Sequence, residues 1–427
     1  MFFTVSNVNI FLVKFFYGLV TLFLVNHVIK FVQRVRKLPP GPWGLPFVGY
    51  LPFLRHDSQN QMTELAAKYG PVFSFKCGKF DLIVINQWKF IKEALTNEHL
   101  LGRPKETILP GVIDHHSFAE MTGEPWKQQR RIALTTLRDV GFGKSEMEDS
   151  IRDEIKSFSE VLKSFKETFS LFKKFESHII DEVDEHRKKD IDDNSIKDYI
   201  DGFLNEMSKR QNEKDSSFNL DTLQRNAALF YGAGSDTISN TLKWMMLYLV
   251  KYPEYQIKIR DEIKQTIGLN RQPENVDRQQ MPFTMAFIYE SLRFSSIVPL
   301  NLLRRATEDT KVGGYSIPKD SLVVFNFWSV HHDPNLWDNP ELFKPERFLN
   351  EDKSKAIKPP YLVAFSGGRR VCPGESFAYL QLFLYLVSFL QQFEISAESG
   401  KDISLERAYY FLVRQKSLPN LIFKSVD

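Results

Sequence analysis

The sequence predicts a mainly α-helical protein with small β-sheets, an α+β chain, behind an N-terminal transmembrane helix. Three observations predict this: an apolar run over residues 8–32, helix-period stretches through most of the body, and a few short alternating runs that read as strands. At 427 residues and 43% hydrophobic, the chain can bury a large core, in one large enzyme domain or in two or three smaller ones. Its 56 basic and 53 acidic residues leave a net charge of +3, which gives no electrostatic case for a nucleic-acid partner. Two cysteines, Cys77 and Cys372, make no disulfide framework and suit a reducing, cytosol-facing location. The 37 phenylalanines suit an apolar pocket and, more simply, core packing.

Residues 1–37 read as a membrane anchor with a basic flank. About 20 apolar residues span a bilayer as a helix, and Lys14 is near enough to one end to snorkel. The Asn26-His27 pair weakens the run without ending it. No acidic residue precedes Asp57, while Lys30, Arg34, Arg36 and Lys37 follow the apolar stretch, so the positive-inside rule puts the rest of the chain on the cytosolic side. A cleaved signal peptide would carry its basic residues before the apolar run. Residues 38–49 hold Pro39, Pro40, Pro42 and Pro46, which cannot continue a helix and predict a semi-rigid hinge. Residues 50–427 form the body.

Within the body, residues 69–86 carry two alternating runs around Gly78-Lys79, a hairpin signal, and residues 322–327 predict a further strand. Ile151, Ile155, Phe158, Leu162, Phe165, Phe169 and Phe172 recur at alternating spacings of four and three, which predicts one or two amphipathic helices over 147–189. Residues 221–250 read as one long helix ending before Pro253, and an apolar helix follows over 376–393.

Residues 365–374 carry the most chemistry: Phe365, Gly368, Arg370, Cys372 and Gly374 satisfy F-x-x-G-x-R-x-C-x-G. A thiol at a helix N-terminus sits in the positive end of the helix dipole, which favours thiolate, and a glycine-flanked loop lets a flat cofactor approach it. A lone cysteine is more often a small buried hydrophobe. Five matched positions in ten shift the balance to a ligand. An iron–sulfur cluster or a structural zinc site needs more thiolates or a Cys/His cluster. His115-His116 and His331-His332 are adjacent pairs whose rings do not share a helix face, and they read as loop histidines.

The pattern resembles the haem-binding loop of the cytochrome P-450 superfamily, in which a cysteine thiolate ligates haem iron and favours O–O cleavage. Other motifs follow in the family's order. Trp126 and Arg130 match its W-x-x-x-R, two donors suited to a haem propionate, with Arg370 the best further candidate and Arg103 and Arg304 weaker ones. Ala233, Gly234, Asp236 and Thr237 match A-G-x-D-T, where the resemblance implies a helix locally opened and an acid and an alcohol that relay protons for oxygen activation. Taken alone, that stretch would read as a close helix–helix contact with solvated polar residues. Glu290, Arg293 and Arg347 resemble the family's buried Glu-Arg-Arg network, a structural support for the cysteine loop.

The resemblance implies the P-450 fold, haem b, and a monooxygenase anchored in the endoplasmic reticulum membrane facing the cytosol. It further implies a small apolar substrate, membrane lipid around the anchor, and electrons from NADPH through a separate flavoprotein reductase or a cytochrome b-type donor. No G-x-G-x-x-G dinucleotide site is visible in the chain. Basic residues near the loop, Arg369 and Arg370, are candidates for docking that acidic donor. The interval from Trp126 to Thr237 is shorter than the family's, so the region of about 147–220 is expected to lack part of the substrate-pocket roof. Two other readings stay open: a haem-thiolate isomerase that does not use dioxygen, and a haem-binding but inactive or poorly folded product.

Overall fold

An unbroken apolar stretch with no proline before residue 39 gives the first element, α1 (Val5–Lys37). Its window Val13–Lys30 has a mean hydropathy of 1.3 and is long and apolar enough to cross a bilayer. This computed structural model describes residues 5–106, 117–164, 196–214, 216–398, 403–417 and 419–426, arranged in two units. The expectations for His115, His116 and residues 165–189 lie outside the described residues.

The first unit comprises residues 1–101 and 302–326. After α2 (Ser58–Tyr69) comes the expected hairpin, β1 (Val72–Cys77) and β2 (Phe80–Ile85), paired antiparallel from Val72–Ile85 to Cys77–Phe80. Gly78 turns the hairpin with φ +56°, a backbone geometry that side chains disfavour. Beyond α3 (Trp88–Thr96), the sheet is completed by β3 (Arg304–Arg305) and β6 (Leu322–Phe325), in the order β1-β2-β6-β3. A small hairpin of β4 (Thr310–Val312) and β5 (Tyr315–Ile317) stands apart from that sheet.

The proline-rich segment is docked where a hinge was expected. Ser74 donates its backbone N–H to the Pro40 carbonyl at 2.8 Å and its hydroxyl to the Pro39 carbonyl at 2.6 Å. Further along, Tyr50 N–H reaches the Lys76 carbonyl at 2.7 Å and Gly78 N–H the Val48 carbonyl at 3.0 Å. Proline cannot donate, but its carbonyl accepts, so the segment lies along β1. Gly41 is required there: a Cβ at that position would stand 1.6 Å from the Ser74 oxygen.

The second unit, residues 102–301 and 327–427, is helical. Its helices are α4 (Glu124–Asp139), α5 (Glu148–Ser164), α6 (Tyr199–Lys209), α7 (Leu220–Lys251), α8 (Pro253–Thr266), α9 (Pro282–Ser295), α10 (Phe327–His331) and α11 (Glu375–Gln392). Strand β7 (Phe393–Ala397) pairs with β10 (Leu421–Ser425), and β8 (Arg407–Tyr409) with β9 (Val413–Gln415). The core gathers Trp244 and Tyr248 of α7, Ile259 of α8, Phe287 of α9 and Phe383 of α11. From Ala378 onward α11 is buried on nearly all sides, which is what its uninterrupted apolar sequence requires. Ile151 and Ile155 of α5 pack into the same core, and Phe158 and Leu162 fall on its helical backbone. Of the two adjacent histidines read as loop residues, His331 is instead the buried last residue of α10, whereas His332 lies in the turn after it, half-buried and stacked on Trp328 with ring centroids 3.8 Å apart.

Candidate active site

Cys372 stands three residues before α11, on a loop built by its own backbone. Ser366 and Gly368 take positive φ values of 63° and 65°, residues 368–370 form one tight turn, and Cys372 N–H closes on the Phe365 carbonyl at 2.9 Å. Phe365 packs its ring against Tyr379 of α11, with centroids 5.1 Å apart. The Cys372 side chain is exposed at the loop's surface. The protein mass around it nonetheless pushes the thiol above its ordinary range by desolvation, against the opposing pull of the Gly374 N–H and the Arg130 charge. The helix terminus therefore does not by itself produce the expected thiolate. Coordination to a cation would, since a metal-bound thiol is deprotonated.

In the same unit, Glu290 and Arg293 of α9 are both fully buried. Arg293 binds both carboxylate oxygens of Glu290 at 2.7 Å, and Arg347 Nε reaches the same carboxylate at 3.2 Å. The remaining donors go to backbone: Arg293 to the carbonyls of His331, Pro340 and Leu342, Arg347 to those of Asp338, Asn339 and Leu342. Lys344 N–H also donates to Glu290 at 2.8 Å. Each charge is thus matched, the condition under which a buried ion cluster is tolerated.

The five predicted propionate donors separate in the structure. Trp126 and Arg130 share one face of α4, and Arg130 Nη2 donates to the Val371 carbonyl at 2.6 Å, next to Cys372. Trp126 is 3% exposed and its indole N–H has no hydrogen-bond partner among the described residues. Arg370 turns inward: its guanidinium stacks 3.9 Å from the Trp126 ring centre and donates to the carbonyls of Ala119 and Met121. Its 7% exposure removes it from the expected docking of an electron donor, whereas Arg369 is exposed. Arg103 is buried, bonds the Ala119 carbonyl at 2.8 Å, and is lowered to about 10 by burial. Both arginines fix the backbone of residues 118–121. Arg304 belongs to the first unit, on β3, with its guanidinium over Phe325. Nearby Glu120, a residue the motifs did not flag, is pushed up to about 7 by burial, against the pull of Arg103.

Helix α7 runs unbroken from Leu220 to Lys251, so the expected local opening is absent. Within the helix, Thr237 returns its hydroxyl to the Ala233 carbonyl at 2.7 Å, and Thr241 does the same to the Thr237 carbonyl at 2.8 Å. The middle of the helix is open, with Tyr231, Gly232 and Ala233 exposed, while Leu223 and Trp244 on either side are buried. A Cβ at Gly232 or Gly234 would meet no atom within 4 Å, so close helix packing does not explain these glycines. Asp236 has a partner that sequence reasoning missed: Arg414 of β9 bonds both of its oxygens, at 2.8 and 2.7 Å. No local pattern announces Arg414, because the pair is 178 residues apart.

These residues fit haem. Cys372 offers an exposed sulfur, Trp126 a buried indole N–H with no protein acceptor, and the glycine-containing stretch of α7 an open face. Sulfur for iron, a donor for a carboxylate and room for a flat ring are what a haem-thiolate protein requires. Comparison with known proteins agrees. A family model described as Cytochrome P450 matches residues 39–176 and 158–421, and the chain belongs to that family. Cytochrome P450 18a1 of Drosophila melanogaster is 31% identical over 475 residues, covering 92% of this chain and 88% of that protein. Cytochrome P450 2J2 of Homo sapiens is 30% identical over 448 residues, covering 88% and 89%. Both alignments are longer than the 427-residue chain, so they open gaps in it, and the family model breaks into two matches at 158–176.

Proposed function

We propose that this protein is a membrane-anchored monooxygenase that inserts one atom of dioxygen into an apolar organic substrate, a lipid or a xenobiotic. Electrons come from NADPH through a separate flavoprotein reductase, or from a cytochrome b-type donor. The anchor α1 and its basic flank support a location in the endoplasmic reticulum membrane, with the body facing the cytosol. Bound haem supplies the redox chemistry. Cys372 would supply the sulfur that holds the haem iron, and would be deprotonated there. Trp126, with Arg130 beside it, holds a propionate by its indole N–H. Phe365 and Gly368 shape the loop around the sulfur.

Thr237 moves protons on the oxygen side, with its hydroxyl leaving the Ala233 carbonyl to do so. Asp236, once Arg414 releases it, takes a proton from solvent and passes it to that hydroxyl. Glu290, Arg293 and Arg347 position the loop and take no part in the chemistry. The gapped alignments support a chain shortened near residue 160, which alters the pocket that selects the substrate. The same gaps favour one second reading, a protein that binds haem without turnover.

The observation that carries the proposal is the exposed Cys372 sulfur on a loop whose backbone is already closed by the Phe365 carbonyl. The decisive measurement is the spectrum of the reduced, carbon-monoxide-treated protein. A strongly red-shifted Soret band is expected, and Cys372→Ser is expected to abolish it. A wild-type protein without porphyrin, or an unaltered band in the variant, overturns the assignment. On an active preparation, Thr237→Ala is expected to raise oxygen consumption relative to product. Unchanged coupling removes Thr237 from the relay and, with no product from either protein, the second reading holds.

A further inference from the structure

Among the described residues, the imidazole of His331 makes two hydrogen bonds to segments distant from one another in sequence. On one side, Val363 N–H lies 3.1 Å from Nε2. On the other, Ser296 Oγ lies 2.9 Å from Nδ1. A backbone N–H can only donate, so Nε2 must carry the lone pair. The neutral ring then bears its proton on Nδ1 and donates it to Ser296 Oγ, which fixes the tautomer.

The main chain of the same residue faces the buried charge cluster: the His331 carbonyl accepts from Arg293 Nη1 at 2.7 Å. Val363 begins the cysteine loop, since its carbonyl accepts Ser366 N–H at 2.9 Å, and the following Phe365 carbonyl accepts Cys372 N–H. One residue therefore ties the loop to the Glu290–Arg293 pair through its backbone and its ring. Ser296 is itself held in a left-handed conformation, φ 41°, as the cap of α9, with its N–H on the Leu292 carbonyl.

We propose that His331 is a positioning residue for the cysteine loop: it accepts the Val363 N–H, with its tautomer set by Ser296, and so holds the sulfur in register for ligation. This inference rests on the haem-thiolate reading. Burial and the Arg293 charge lower the His331 pKa to about 3, which keeps Nε2 an acceptor over the working pH range. Asn and Gln separate this role from simple filling of space. The Gln oxygen reaches the place of Nε2, whereas the Asn oxygen reaches only that of Nδ1.

The test measures two signals on the full-length protein in detergent: hydrogen exchange at the Val363 amide, and the fraction of reduced carbon-monoxide complex in the red-shifted band. His331→Leu and His331→Asn are expected to speed Val363 exchange on the order of tenfold and to shrink the red-shifted fraction. His331→Gln is expected to restore both toward wild type. Ser296→Ala, which leaves His331 in place, is expected to act in the same direction with a smaller effect, and it carries the test if His331→Leu does not fold. Wild-type exchange and an unchanged band in His331→Asn or in Ser296→Ala overturn the proposal. If the wild-type protein takes up no haem, the haem reading fails, and Val363 exchange still reports on the His331 contact alone.

Discussion

The cysteine loop and the middle of α7 are the two regions of the second unit that carry the family motifs, and they are built in opposite ways. In the cluster tied to the loop through His331, the Glu290 carboxylate is met by two guanidinium groups and a backbone N–H, and the carboxylate and both guanidinium groups are buried or nearly so. Along residues 231–237 of α7, side chains are exposed, two glycines face open space, and the one acid is held by a half-exposed arginine. Under the proposed function, the ligand side is fixed before anything binds and the oxygen side is left adjustable. Metal ligation needs one geometry held closely, whereas a site that admits gas, protons and a variable substrate needs space.

Arg293→Ala is the largest test of that contrast. It leaves Glu290 buried with half its charge compensation, and the expected loss is about 3–5 kcal/mol of stability. Chemical denaturation should show it, with haem incorporation falling in parallel. A loss under about 1 kcal/mol would mean that the loop does not depend on the network.

The second test is pH. The folded pKa of His331 is lowered to about 3 by burial and by Arg293, from an unfolded value of 6.5, and that of His332 is lowered in the same direction by burial. Between those values the unfolded chain binds protons that the native chain refuses. The stability from neutral His331 is therefore whole above pH 6.5 and drains as pH falls toward 3, by about 1.4 kcal/mol per pH unit, and neutral His332 adds to the loss in the same direction. Denaturation midpoints measured from pH 8 to 5 should fall below pH 6.5, and His331→Gln should make that slope shallower. A flat wild-type profile would contradict the buried neutral ring.

Gly234→Ala probes the open side and has the smallest effect. With no neighbour within 4 Å of the new Cβ, alanine should stabilise the haem-free protein by about 1 kcal/mol through helix propensity. If the open face serves ligands, the same change should weaken haem or substrate affinity in spectral titrations. Unchanged affinity would make the glycine merely tolerated.

The two regions also differ in how well the sequence disclosed them. The cysteine loop is contiguous, so five residue identities in ten positions declared its family motif. The hairpin at residues 72–85 and the long helix α7 were likewise written in local periodicity. Partners far apart in the chain were not. Arg414 on Asp236 and His331 on Val363 are hydrogen bonds whose two halves carry no shared local pattern. Arg370 matched its motif position, yet packing turned its guanidinium onto Trp126 and the backbone of residues 119 and 121.

By itself the sequence determined the apolar N-terminal helix, the helical class, the cysteine motif and the order of the motifs, because each depends on composition or on spacing along one element. Tertiary structure alone decided that the proline-rich segment lies along β1, that Asp236 is ion-paired, and that His331 faces the cysteine loop with an acceptor nitrogen. The reason is physical: a buried hydrogen-bonding group must find a partner wherever the fold brings one, and residue order does not encode which one that is.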